Sequence, residues 1–387
     1  MSKVQKIFRM LKPVREPGSK SVVRQWYEIV RLMVTAQITP SEYYMYDIHN
    51  KNKSIKDMSR YLPYSLWIEK VRPQLINWRF DHVLQNKWLF HVYYKSFGLP
   101  VTHVYAYLAG HTKELTGGLT GGGNQLNNLD ELITYVYEIK PDTLVVKPVV
   151  GGVGRDVHIF DSLNYEREGI QGITISGKEY NLAELFRSYK PTHGILLEEK
   201  NSKHPFFERL NPFTSNVLRI ITLLKAGGEP EILFAIAKFG RKGSETEHFR
   251  QGGFSRAINT DSGMMQDTAL ISDKVRNRWV RAHPDLETPF KCEKIPMWDQ
   301  IIETAKNFSR ATPFASIVGW DLMLTANGPV VIEGNHDFGF NATQSHSDGF
   351  LTEELINDLR ALGVDIKYNS FKRVNLKAMR TALQRWI

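Results

Sequence analysis

Between Ser316 and Phe340 the chain reads SIVGWDLMLTANGPVVIEGNHDFGF, two apolar runs separated by Ala326-Asn327-Gly328. Runs of this kind around an Asn-Gly pair predict an antiparallel hairpin. A three-residue loop, a type I turn closed by a left-handed glycine, pairs Thr325 with Pro329. Counting outward sets Asp321 opposite Glu333, and strand alternation puts Asn335 on the same face. The other face, carrying Trp320, Leu322, Leu324, Val330 and Ile332, is the buried one. Two carboxylates and an amide oxygen projecting from a packed hairpin suit a hard cation such as Mg²⁺. The inference hangs on register: a two-residue loop at Asn327-Gly328 sends Asp321 to the face opposite Glu333.

The chain has 387 residues, 42% hydrophobic and 24% charged, enough for two or more domains with their own cores. Its single cysteine, Cys292, excludes an internal disulfide and a multi-cysteine metal site, and fits a reducing compartment. No run is apolar enough to span a bilayer, and MSKVQKIFRMLKPVREPGSK lacks the apolar centre of a signal peptide. A cytoplasmic protein is expected. The net charge is +9, and much of the excess is early: Lys3, Lys6, Arg9, Lys12, Arg15, Lys20 and Arg24 face only Glu16. Such an arm is either a solvated basic face or a peripheral contact with an anionic surface such as lipid headgroups. No nucleic-acid reader motif accompanies it, so no nucleic-acid partner is expected. No motif encodes an oligomeric state.

Residues 1–80 read as a helical N-terminal region. Val22-Val23, Trp26-Tyr27, Ile29-Val30 and Leu32-Met33-Val34 recur near helical spacing. Tyr43, Tyr44 and Tyr46 suit packing between helices. A second helical candidate spans Asp57 to Leu75, interrupted by Pro63 and Pro73. Residues 81–142 read as α/β: a helix DHVLQNKWLFHVYYKSF, a strand VTHVYAYLAG, a flexible glycine-rich loop TGGLTGGGN and a helix DELITYVYEIK.

In DTLVVKPVVGGVGRDVHIF a buried strand delivers Lys147, and Gly151, Gly152 and Gly154 precede the next strand. Glycines let backbone N–H groups approach phosphate oxygens, and a lysine adds a point charge. A hairpin turn explains the glycines equally well. NLAELFRSYK is a helix, and the strand GILLEEK ends in Glu198, Glu199 and Lys200, where an adenine hinge or merely a surfacing strand end would sit. In SNVLRIITLL, Arg219 lies inside an apolar strand, with EILFAIAKFG as its antiparallel neighbour. A guanidinium there needs an acidic partner or a ligand anion. RKGSETEHFRQGGFSRA has the composition of a mobile loop. DKVRNRWVRAHP and MWDQIIETAKNFSRATP read as helices, as do TEELINDLRALG and the basic VNLKAMRTALQRWI in the tail, 351–387.

The order of these signals resembles the ATP-grasp superfamily, in particular its sugar-transfer associated branch, which is related to α-L-glutamate ligases. The segments that carry it are DHVLQNKWLF, VVKPVVGGVGRDV, LLEEKNSKHP, NVLRIITLL, HFRQGG, HPDLETPFKCEKIPMWDQII and VGWDLMLTANGPVVIEGN. The resemblance runs roughly from Tyr43 to Phe350. It implies an α+β or α/β ATP-grasp fold, two α+β lobes clasping ATP, with 143–200 as the small lobe and 201–350 as the large lobe. Lys87 and Lys147 would be the nucleotide-binding lysines, and Gly151 to Gly154 the loop over the phosphates. Glu198 to Lys200 would be the adenine hinge, with Glu199 and His204 near the ribose. Arg219 would sit at the reacting carboxylate or phosphoryl group. Asp321, Glu333 and Asn335 would hold Mg²⁺, or Mn²⁺ in its place. Two departures stand out: His248 where relatives often have Asn, and Asp156 where many have Gly.

The reaction implied is ligation of a carboxylate, small or glycan-linked, to an amine through an acyl phosphate, in biosynthesis or modification of a surface polysaccharide. Phosphoryl transfer needs positioning and charge neutralisation rather than a protein nucleophile, so Cys292 is a bystander. Phosphorylation of a hydroxyl is the rival enzymatic reading. A non-catalytic ATP-binding interaction protein is the third.

Overall fold

The computed structural model describes residues 13–54, 57–108, 123–152, 154–166, 169–190, 192–247, 252–272 and 277–364. Short aliphatic runs between residues 104 and 198 form one sheet of seven strands. These are β1 (Val104–Leu108), β2 (Asn124–Leu126), β3 (Leu144–Pro148), β4 (His158–Glu166), β5 (Gly169–Thr174), β6 (Glu179–Asn181) and β7 (Ile195–Glu198), in the order β2-β1-β7-β3-β4-β5-β6. β1 and β2, from the segment 81–142, thus extend the sheet made by residues 143–200. Leu144, Val146, Phe160, Phe186 and Leu197 fill its core.

A second sheet has nine strands. Its main path runs β13 (Asn277–Val280), β12 (Ala269–Ser272), β10 (Phe254–Ile258), β9 (Pro230–Phe239), β8 (Val217–Leu224), β15 (Ile317–Thr325) and β16 (Gly328–Asn335). The short β11 (Met264–Met265) pairs with β10 and with β14 (Glu293–Lys294). β8, VLRIITLL, is buried along all but its last residue, as an apolar run covered on both faces should be. One face packs on helix Trp298–Arg310, whose Trp298, Ile301, Ala305 and Phe308 recur at helical spacing. The opposite face carries the charges described below.

The N-terminal region is helical, with α1 (Val22–Ala36) and α2 (Pro40–Met45), the latter opened by a Thr39–Glu42 capping box. The apolar residues of α1 do not form one buried stripe. Ile29, Leu32 and Met33 turn inward together with Gln25 and Glu28, while Val23, Trp26, Tyr27 and Val30 remain exposed. Inside, Glu28 accepts from Lys20 Nζ at 2.8 Å, Arg24 Nε at 2.9 Å and Tyr43 O–H at 2.9 Å. Tyr43, Tyr44 and Tyr46 are buried and pack between helices as expected. Tyr46 O–H donates to Asn341 at 2.6 Å, and the Gln344 amide donates to Tyr46 Oη and Leu62 O, so this region clamps the segment after β16.

Several local expectations change. The helix from Asp81 breaks at Asn86, whose extended backbone bridges to Val150 and whose side chain caps a new helix, α3 (Lys87–Ser96). The stretch read as a helix at DKVRNRWVRAHP instead gives β13. Four residues suffice there because β12 supplies a partner, with Leu270 opposite Trp279. The end of the expected loop, Phe254–Ile258, is the wholly buried β10. Most of TGGLTGGGN, together with His248 and the helix expected at VNLKAMRTALQRWI, lies outside the described residues; helix Glu353–Ala361 forms as read. No helix among the described residues is long and apolar enough to cross a membrane.

Glu28 holds the helical region together. Glu28→Ala leaves buried Lys20 without its carboxylate and should cost about 3 kcal/mol or more in urea unfolding, whereas Tyr43→Phe should cost about 1 kcal/mol. Equal and small losses in both would show that the pair is not holding the region.

Candidate active site at the meeting of two sheets

The β15–β16 hairpin brings Asp321 opposite Glu333, but not by the turn expected. Thr325 pairs with Gly328, leaving the two-residue loop Ala326-Asn327, and Gly328 takes a positive φ of 121°. A bulge between Asp321 and Leu322 then absorbs one residue of β16 and restores the pairing. Inside the turn-proximal part the alternation is therefore shifted: Val331 joins Trp320, Leu322 and Leu324 in the core, while Val330 and Ile332 stay partly exposed. Asn335 pairs with Gly319 and donates from Nδ2 to Glu333 Oε1 at 3.0 Å.

Asp321 also faces Arg219 directly across β15 and β8. Arg219 grips both carboxylate oxygens, Nε to Oδ1 and Nη2 to Oδ2, the latter at 2.6 Å, while Nη1 donates to Phe338 O at 2.6 Å. Gly319 makes that last contact feasible, since a Cβ there would lie 2.3 Å from Phe338 Cβ and 3.0 Å from Arg219 Cδ. Lys238 on β9 reaches Asp321 Oδ2 at 3.1 Å and Glu247 Oε1 at 3.5 Å. Burial pushes the Asp321 carboxyl upward, but the Arg219 and Lys238 charges and their hydrogen bonds outweigh it and hold it well below the usual range. Burial pulls the Arg219 guanidinium down, and Asp321 more than restores it. Both groups stay charged.

The donors fit a hard cation. Among the described residues Asp321 Oδ1 accepts from Arg219 alone, so one lone pair remains, and Glu333 and Asn335 add a carboxylate and an amide oxygen from the neighbouring strand.

The smaller sheet contributes the opposing wall. Lys147 on β3 and Glu198 on β7 form a buried pair at 2.6 Å. Lys87, first residue of α3, donates from Nζ to Gly151 O at 2.9 Å, and its backbone N–H donates to Val149 O at 3.0 Å. Its ammonium is pulled below the usual lysine range by burial first, with Lys147 adding to the shift while Glu333 and Glu198 oppose it. Lys87 is thus within electrostatic reach of Lys147 and Glu198 in the smaller sheet and of the hairpin's Glu333. Gly151 and Gly152 are exposed. Gly154 has φ 65°, and a Cβ on it would meet Thr246 Oγ1 at 2.7 Å, so both conformation and space require glycine. Asp156 has φ 55°, a left-handed backbone that glycine adopts with less strain.

Past β7 the expected hinge residues diverge. Glu199 is exposed and its N–H donates to His103 O at 3.0 Å. Lys200 pairs with Asp161. His204 caps helix Pro205–Leu210, accepting from Phe206 N–H at 3.1 Å through Nδ1, and its own N–H donates to Leu324 O at 2.8 Å. It ties the chain leaving the smaller sheet to the hairpin. Lys238 was missed from sequence, although it carried a signal like that of Arg219: one cation in a largely apolar strand, PEILFAIAKF.

A family model described as sugar-transfer associated ATP-grasp matches residues 71–358. No curated protein sequence matches the chain. Solved structures similar to it include biotin carboxylase from Campylobacter jejuni (11% identity, 76% of this chain and 49% of that one, TM-score 0.41). Others are N5-carboxyaminoimidazole ribonucleotide synthetase from Thermotoga maritima (14%, 73% and 49%, 0.37) and D-alanine–D-alanine ligase from Bacillus anthracis (12%, 80% and 71%, 0.34). For the first two, the chain spans just under half the length of the solved protein. The family match takes in both sheets and every residue of the site, and the chain belongs to the sugar-transfer associated ATP-grasp family, with the ATP-grasp fold.

Proposed function

We propose that the chain is a Mg-ATP-dependent ligase that joins a carboxylate to an amine through an acyl phosphate. The observation that carries this reading is the position of Lys87, within electrostatic reach both of the Lys147–Glu198 pair and of Glu333 on the hairpin that also holds Asp321 and Asn335. The lobes are 143–200, whose sheet β1 and β2 extend, and 201–350. Lys87 and Lys147 neutralise phosphate oxygens, and Gly151, Gly152 and Gly154 offer backbone approach. Backbone groups from Glu198 to Lys200 meet the adenine edge, with Glu199 and His204 toward the ribose. Asp321, Glu333 and Asn335 would hold Mg²⁺, which supplies charge neutralisation at the phosphates; Mn²⁺ would substitute.

Arg219 uses three of its five N–H groups on Asp321 and Phe338, so Nη1 and Nη2 each keep one for an incoming anion. Lys238 adds a second cation beside it. A substrate carboxylate held there attacks the γ-phosphorus, and the bond to ADP breaks. The amine, its ammonium having given one proton to solvent, then attacks the acyl carbon; phosphate leaves and takes up the second nitrogen proton as the amide forms. ATP as substrate suits a cytoplasmic setting.

The acceptor has room beside Arg219. A cavity of about 200 Å³ is lined by Ile236, the cross-strand neighbour of Arg219, and by Phe234, Asn259, Gln266, Thr343 and His346. Among the described residues, Thr343 Oγ1 and His346 Nδ1 are buried there without hydrogen-bond partners. Burial holds the His346 imidazole down to about 3, hence neutral, and its Nε2 contacts Ser255 Oγ at 2.8 Å. Among the described residues no charged side chain lines the cavity, which suits a hydroxyl- or amide-bearing portion of a glycan-linked acceptor and supports work on a surface polysaccharide. The same neutral lining favours the second reading, phosphorylation of a hydroxyl.

A screen of carboxylates and amines for ADP release should find turnover that Asp321→Ala and Glu333→Ala each reduce about 10²- to 10³-fold. Parent-like rates in both variants would make the metal assignment wrong. Hydroxylamine should trap a hydroxamate; a stable phosphorylated alcohol instead would select the kinase. Thr343→Val and His346→Phe should raise the acceptor KM about tenfold, roughly one lost hydrogen bond, at unchanged KM for ATP. No change in either KM would move the acceptor elsewhere.

A further inference from the structure

Helix α1 is turned the wrong way round for a helix whose only neighbour is the core. Gln25 and Glu28 are each 0% exposed, whereas Val23, Trp26, Tyr27 and Val30 are 80%, 38%, 59% and 57% exposed. Their spacing of three, one and three residues puts all four on one outward face. Arg24 has a side chain 60% exposed, and Arg31 donates to Tyr27 Oη at 3.3 Å. The only acid of α1 is Glu28, and it is buried against Lys20 and Arg24. The outward surface of the helix is therefore aromatic, aliphatic and cationic, with no negative charge.

That charge pattern selects the occupant. The terminal segments outside the described residues are themselves basic: residues 1–12 carry Lys3, Lys6, Arg9 and Lys12 with no acid, and Asp365 is outnumbered by cations in 365–387. A second copy would present the same cationic face. Each would set like charge on like charge. An anionic surface with an apolar interior complements both halves of the pattern, because Trp and Tyr favour the headgroup level and arginines meet phosphates.

We propose that α1 is a peripheral membrane-docking helix, with Val23, Trp26, Tyr27 and Val30 entering the interface of an anionic bilayer and Arg24 and Arg31 contacting its headgroups. The face belongs to the helical N-terminal region, so docking is independent of the ligase chemistry and survives if that reading fails.

The test is co-sedimentation of the full chain with vesicles of phosphatidylcholine alone or with about one-third phosphatidylglycerol, in roughly 0.1 M salt. The parent should bind the anionic vesicles at least about tenfold more tightly than the neutral ones. The triple variant Trp26→Ser, Tyr27→Ser, Val30→Ser should lose about tenfold or more of that binding while its thermal unfolding stays that of the parent. No binding of the parent to anionic vesicles overturns the proposal, and so does undiminished binding by the folded triple variant. A concentration-dependent dimer of the parent that the triple variant abolishes, without vesicle binding, would assign the face to a second copy instead.

Discussion

The Arg219–Asp321 pair is the interaction on which the rest of the site depends. It spans two neighbouring interior strands of the larger sheet, β8 and β15, and both partners are almost wholly buried. Burying either charge alone would be prohibitive, so the two-pronged contact, the added Phe338 carbonyl and Lys238 are conditions for the sheet to close at all. The consequence is functional. Asp321 remains ionised and fixed in orientation before any ligand arrives, and Arg219 presents its remaining donors in a set direction. Electrostatic catalysis of phosphoryl transfer relies on such advance organisation, because donors already in place need not reorganise as charge develops.

Around that pair the fold works by convergence. The hairpin brings Glu333 and Asn335 to the side of Asp321, and the break at Asn86 does the equivalent for Lys87. Because Asn86 leaves the helical path to bridge Val150, α3 begins with Lys87 aimed at the glycine segment rather than buried mid-helix. His204 then couples the end of the smaller sheet to the hairpin through the Leu324 carbonyl. Lys87 and the hairpin carboxylates are thus joined by short covalent and hydrogen-bonded links, which suits the proposed grip of two lobes on ATP.

Much of this was legible in the chain, for particular reasons. Both strands of the hairpin, the pairing of Asp321 with Glu333 and the buried arginine follow from alternation and from the cost of a lone internal charge. The mechanism of the pairing did not follow: a turn one residue shorter and a compensating bulge give the same partners, and apolar pattern alone cannot separate them, since Val330, Val331 and Ile332 are interchangeable in hydrophobicity. β13 escaped because four residues offer no period and its partner β12 decides its state. The split faces of α1 escaped because a broad apolar stripe assumes that the inner face wants apolar residues, whereas here Gln25 and Glu28 take that place. Cavity walls such as Thr343 and His346 come from segments far from Arg219 in sequence, so only tertiary structure unites them.

The claim at the centre is that the hairpin face binds a divalent cation together with ATP. Mn²⁺ makes this directly visible, because its paramagnetic resonance distinguishes protein-bound ion from free ion and from Mn-ATP in solution. Titrating the parent chain with Mn²⁺ and ATP should give a saturable protein-bound signal that requires the nucleotide, and the Glu333→Gln, Asn335→Ala double variant should weaken it about tenfold or more. Equal binding by the folded double variant would mean that the cation is held elsewhere and would contradict the assignment of the hairpin.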